Sequence, residues 1–137
     1  MPAPIELLRQ VPLFQRLNDK ELKTLADTFT DRAFQAGQEL TTEGQGGVGF
    51  FVIESGSAKV TVDGEDRRTI GAGDYFGEIA LIDGGLRTAT ITAETDGRMY
   101  GLTAWQFRPL LDEHASIAWP LLEALAIRVR ELESKRS

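Results

Sequence analysis

A chain of 137 residues, 42% hydrophobic and 26% charged, has the length and composition of one soluble globular domain whose core closes without staples. It contains no cysteine and a single histidine, His114, which excludes disulfides and cysteine nucleophiles and leaves too few ligands for a zinc or iron centre. The net charge of -6 argues against a nucleic-acid-binding face; no apolar run reaches membrane length and no signal peptide follows Met1-Pro2-Ala3-Pro4, so the expected location is the cytoplasm.

Residues 1–30 read as a helical lead. Ile5, Leu7 and Leu8 begin a helical pattern that Pro12 breaks or restarts. Asn18 is placed to cap a second helix, with Glu21 three positions on completing a capping box. Leu22, Leu25, Ala26 and Phe29 then form one apolar stripe, suited to packing on a sheet.

From residue 31 to 102 the period falls from 3.6 to 2, with turn residues every 8–12 positions. Strands are expected at 32–34, 39–41, 49–54, 58–62, 67–70, 88–93 and 98–102. Most of the 14 glycines lie at the corners between them, where they mark tight turns. Seven or eight short strands in one unit indicate a mainly β sandwich or jelly roll.

Residues 103–137 return to the helical period. Thr103 can cap a helix carrying Trp105, Phe107, Leu110 and Leu111, with Pro109 expected to make it irregular. A longer helix is expected over 116–133, with Pro120 tolerable within its first turn. On it Leu122, Leu125, Val129 and Leu132 are spaced 3-4-3, a two-heptad seam that can pack on its own sheet or on the seam of a second copy.

The most polar loop lies in residues 76–90. If residues 79–83 form a helical turn, the N–H groups at its start lack intrahelical partners and favour an anion such as phosphate. Gly77 admits a close ligand, Arg87 offers a planar fork to two phosphate oxygens, and Thr88 adds a hydroxyl. Glu78 would repel a phosphate, and its natural partner is a neutral diol or amine on the same molecule. Phosphate with hydroxyl suggests a nucleotide, and without a Walker lysine loop hydrolysis is not indicated. The plainer alternative is that Glu78 pairs with Arg87 across a turn.

Phe76-Gly77-Glu78-Ile79-Ala80-Leu81 followed by Arg87-Thr88-Ala89-Thr90 resembles the phosphate-binding cassette of cyclic nucleotide-binding domains. These occur in the catabolite activator family, protein kinase A and G regulatory regions and cyclic-nucleotide-gated channels. The likeness covers nearly the whole chain: Val11-Pro12-Leu13-Phe14 is similar to the family's helical lead, residues 50–56 to its third strand and glycine turn, and the nine-residue step from Glu78 to Arg87 to the kinase A cassette. It implies an eight-stranded antiparallel β-roll with N-terminal helices, the cassette turn and two C-terminal helices, filling 1–137 as a single domain (lead 1–30, roll 31–102, helices 103–137).

The resemblance also implies roles. Glu78 accepts from the ribose 2′-hydroxyl, Arg87 pairs with the cyclic phosphate, and the N–H groups of Gly77 and Ala80, flanking Ile79, complete the cradle with Thr88. Val60 touches the purine. Leu86 stands where the family often has proline, which removes no polar contact. Thr88 permits cyclic GMP, cyclic AMP is the favoured ligand, and Arg128 and Arg130 are candidates to cap the base. The expected function is a non-enzymatic cyclic-nucleotide sensor, without cofactor or metal, that relays binding through its C-terminal helix to a dimer mate or a downstream protein. A transcription factor's regulatory fragment is the alternative, since DNA binding would need a helix-turn-helix after the long helix. A jelly-roll metal oxygenase would need two histidines and a carboxylate, which His114 alone does not supply.

Overall fold

Pro12 decides how the chain enters the fold. In the computed structural model, which describes residues 3–42, 44, 49–83 and 89–136, helix α1 (Ile5–Arg9) stops short of it. Pro12 then opens a 3₁₀ turn (Pro12–Phe14), where its missing N–H costs nothing. Helix α2 (Asp19–Thr28) follows behind the expected capping box: the Asn18 side chain accepts from the Glu21 N–H at 2.8 Å, and Glu21 Oε1 accepts from the Asn18 N–H at 3.0 Å.

Among the described residues eight strands form two four-stranded antiparallel sheets. One has the order β1 (Thr30–Phe34), β8 (Gly97–Thr103), β3 (Gly49–Ser55), β6 (Tyr75–Phe76). The other has the order β2 (Glu39–Thr41), β7 (Thr90–Ala93), β4 (Ala58–Val62), β5 (Glu65–Ile70). The sheets face each other, because Ile53, Phe76 and Met99 of the first share a buried cluster with Val60, Ile70 and Ile91 of the second. The mainly β, eight-stranded roll with flanking helices is therefore as expected from the sequence.

The first sheet is covered on both faces, which is why β3 reads as an apolar run rather than an alternation. Phe50 and Val52 turn outward with Tyr100 and Leu102 of β8, onto Leu8, Phe14, Leu22 and Leu25 of the helical lead. The rings of Phe14, Phe29 and Phe50 meet edge to face there, with Phe14 and Phe50 centroids 5.6 Å apart.

After the roll come α4 (Ala104–Glu113) and α5 (Ala115–Arg136). Gln106 Oε1 accepts from both the N–H and the hydroxyl of Thr103, fixing the start of α4. Pro109 lies within α4 and Pro120 within α5, the latter past the first turn, where each deletes one helical hydrogen bond. Buried Phe107 and Leu110 on α4, and Ile117 and Leu121 on α5, hold both helices against the helical core despite that loss. Among the described residues no helix is long and apolar enough to cross a membrane.

Candidate functional site

The candidate site starts from a strand of only two residues. β6 pairs with β3 through Phe51↔Phe76 and Val52↔Tyr75. The turn before it is tied to the same strand: the Ile53 N–H donates to the Asp74 carbonyl (2.8 Å) and the Gly73 N–H to the Ile53 carbonyl (2.9 Å). Asp74 also accepts the Gly71 N–H on its carboxylate at 2.8 Å. Tyr75 then leans on Phe50, centroids 6.0 Å apart, while Phe76 lies on Phe51 at 5.3 Å. Phe51 has room because its neighbour on β8 is Gly101, where a Cβ would come within 2.6 Å of the ring.

The next residue reverses the backbone. Gly77 has φ 86, a left-handed conformation that glycine adopts without steric cost. Helix α3 (Glu78–Asp83) begins immediately afterwards, and the Leu81 N–H returns to the Gly77 carbonyl at 3.1 Å. Leu81 is buried in the helical core, which seats the helix. Helix geometry then leaves the first-turn N–H groups of Glu78, Ile79 and Ala80 without partners inside α3, at the end with partial positive charge. This backbone can hold an anion.

Arg87 and Thr88, with Leu86, lie outside the described residues. The chain is described again from Ala89, half-buried at the margin of the interior cluster, and enters β7 at Thr90. Val60 is inward-facing as expected, 7% exposed, and sits across from Ile91 of β7 and Arg68 of β5. Val60 and Phe76 belong to one interior cluster with Ala89 beside it, so the entry and exit of the cassette and Val60 border the same space between the sheets.

Arg128 and Arg130 lie on α5 past Ala124, its last buried residue. Two contributors were not found from the sequence. Thr41 of β2 donates its hydroxyl to the Ala89 carbonyl at 3.1 Å, and Phe51 supports Phe76. The signal for Phe51 was present, an aromatic in a strand facing a glycine-bearing strand; for Thr41 there was none.

A separate polar cluster lies on the helix-facing side of the first sheet. The Tyr100 hydroxyl donates to Glu54 at 3.0 Å, and Arg98 pairs with Asp31 at 2.8 Å. Burial pushes the Tyr100 hydroxyl pKa above its ordinary value, and the bond to Glu54 adds to the shift.

Comparison with known proteins identifies the family and agrees with the fold. The family profile described as "Cyclic nucleotide-binding domain" matches residues 31–114. A cAMP-dependent protein kinase regulatory subunit from Yarrowia lipolytica is 40% identical over 106 residues, 76% of this chain and 28% of that subunit; the chain thus spans under a third of its curated relative. The N-terminal domain of a transcriptional regulator from Streptomyces coelicolor superposes with a TM-score of 0.86 at 31% identity, covering 93% of this chain and 95% of that one. The regulatory domain of Toxoplasma gondii PKA, co-crystallised with cAMP, superposes with a TM-score of 0.70 at 30% identity, covering 82% of this chain and 44% of that one.

Proposed function

This chain belongs to the cyclic nucleotide-binding domain family, and from that premise we propose that residues 76–90 cradle the ligand and that the ligand is cyclic AMP. In this reading Arg87 pairs with the cyclic phosphate, and the N–H groups of Gly77 and Ala80, around Ile79, join Thr88 in completing the cradle. Glu78 accepts the ribose 2′-hydroxyl, and Val60 meets the purine from the roll. The observation that carries it is the left-handed Gly77 between β6 and α3, which is followed at once by the main-chain donors of the first helical turn. Cyclic AMP is favoured over cyclic GMP by the 40% identity to a cAMP-dependent kinase subunit and by the likeness to a regulatory domain crystallised with cAMP. Residues 1–137 act as one unit in this account.

The signal leaves through the C-terminal helices. α3 packs against α4 beside a groove of about 740 Å³ lined by Leu81, Ile82, Trp105, Phe107 and Leu111, and α4 packs against α5, so in this reading a shift of α3 passes to α4 and then to α5. The ligand biases this motion only by binding one arrangement better than the other. On α5 Trp119, Leu122, Val129 and Leu132 are 55–67% exposed, while Leu125 of the expected seam packs on the helical core. A two-fold dimer through that stripe, or a downstream protein docked on it, receives the signal.

Glu78→Gln tests the cradle. With cyclic AMP the variant should lose affinity, and with its 2′-deoxy analogue it should lose much less. Equal losses on the two ligands would remove the ribose role.

A second reading, the sensor module of a transcriptional regulator, is favoured by the likeness to the Streptomyces domain over 93% of the chain. It requires the natural full-length product to bind duplex DNA in a cyclic-nucleotide-dependent manner.

A further inference from the structure

The point where the cassette rejoins the roll is tied down by a side chain from outside it. Apart from Tyr100, Thr41 is the one buried residue with a polar side chain among the described residues, at 8% exposure. Its neighbours on the strand ladder, Ile91 and through it Val60, are apolar. A valine or isoleucine would satisfy that packing, and a buried hydroxyl is unfavourable there unless it is bonded. Thr41 is bonded. Its hydroxyl donates to the Ala89 carbonyl at 3.1 Å, joining positions 48 apart in the chain.

Local geometry explains why a side chain does this work. The register of β2 against β7 shifts between Glu39 and Thr41, so an extra residue stands opposite one of β7 and the side chain is re-aimed. β7 itself begins only at Thr90. Ala89 thus precedes the ladder, and Thr41 supplies a donor to its carbonyl. Arg87 lies two residues upstream, Thr88 one.

We propose that Thr41 is a positioning residue for the cyclic-nucleotide site: its hydroxyl fixes the chain at Ala89, where the cassette rejoins the roll. The inference rests on Arg87 and Thr88 being ligand contacts, as proposed above.

The test compares wild type with Thr41→Val, Thr41→Ala, Thr41→Ser and Thr42→Val. Cyclic AMP affinity is measured by calorimetry, and amide hydrogen exchange at Thr90 and Ile91 is followed in ligand-free protein. Thr42 is a matched control, since its hydroxyl donates to the exposed Glu39 of its own strand end at 2.5 Å. Thr41→Val and Thr41→Ala should each raise Kd about fivefold, the equivalent of one ordinary hydrogen bond, and should speed exchange. Thr41→Ser and Thr42→Val should keep wild-type affinity and exchange. Unchanged affinity in Thr41→Val overturns the proposal, as does a Thr41→Ser loss as large as that of Thr41→Val, which would make the position one of shape. A wild type that binds no cyclic nucleotide sinks the cradle reading itself. That failure is told apart from failure of the anchor, because exchange at Thr90 and Ile91 then still rises in Thr41→Val.

Discussion

Replacing Gly77 by alanine puts a Cβ on a residue at φ 86, where it crowds the following carbonyl oxygen. Holding an L-residue in the left-handed region costs about 1–2 kcal/mol. The strain has two outlets. If the cassette keeps its shape, the whole fold carries the strain and melts earlier. At an unfolding entropy of roughly 2.1 cal/mol/K per residue, a chain of 137 residues loses about 3.5 °C of Tm per kcal/mol, so a drop of about 3–7 °C is expected. If the cassette relaxes instead, stability is spared and the donors of the α3 first turn leave their places, raising Kd by about 5- to 30-fold. Scanning calorimetry without ligand reads the first outlet, and isothermal titration with cyclic AMP reads the second. The two losses should total about 1–2 kcal/mol however they divide. A Gly77→Ala protein with both wild-type Tm and wild-type Kd would refute the argument that this backbone needs glycine.

Three other outcomes follow from named contacts. Because burial raises the Tyr100 pKa, helped by Glu54 and Asp31 and opposed by Arg98, folding disfavours the ionised phenol. Stability from this group is full below the ordinary tyrosine pKa of about 10 and is lost as pH rises through the raised value. Tyr100→Phe should flatten the alkaline fall of Tm, and an unchanged slope would contradict this. Asn18→Ala removes the acceptor of the Glu21 N–H and should cost about 1 kcal/mol, read as a lower urea midpoint with an unchanged slope. Introducing Leu122→Glu with Val129→Glu on the exposed stripe of α5 should turn a dimer into a monomer on light scattering; a wild type already monomeric with ligand bound would dismiss the dimer.

The sequence was most legible where the determining interactions are local. The Asn18–Glu21 box is a three-residue device, and it forms as its spacing requires. Strands with a period of two were found within a few residues of their true ends. β6 was not among them, since a two-residue strand has no period and exists only because Phe76 and Tyr75 find partners on β3. The two prolines misled for the opposite reason. Local rules make Pro109 an irregularity and confine Pro120 to a first turn, yet apolar anchors one to three positions away keep both helices running. In the candidate site, Gly77 and the short helix behind it could be read from residue chemistry, because backbone reversal and unpaired donors are properties of a few consecutive residues. Thr41 could not, because its meaning lies in a carbonyl 48 residues away and in a shifted register that only the folded sheet creates.

The central claim is that a cyclic nucleotide sits on the cassette, and titration of the purified protein with cyclic AMP, cyclic GMP and linear 5′-AMP tests it most directly, with Arg87→Ala measured alongside. The account predicts saturable binding of the cyclic ligands, tightest for cyclic AMP, and little response to the linear monophosphate. It also predicts a loss of about thirtyfold or more in Arg87→Ala, the usual consequence of truncating one member of a desolvated charge pair, ~2–5 kcal/mol. Absence of binding, equal binding of cyclic and linear nucleotides, or unchanged affinity in Arg87→Ala would contradict it.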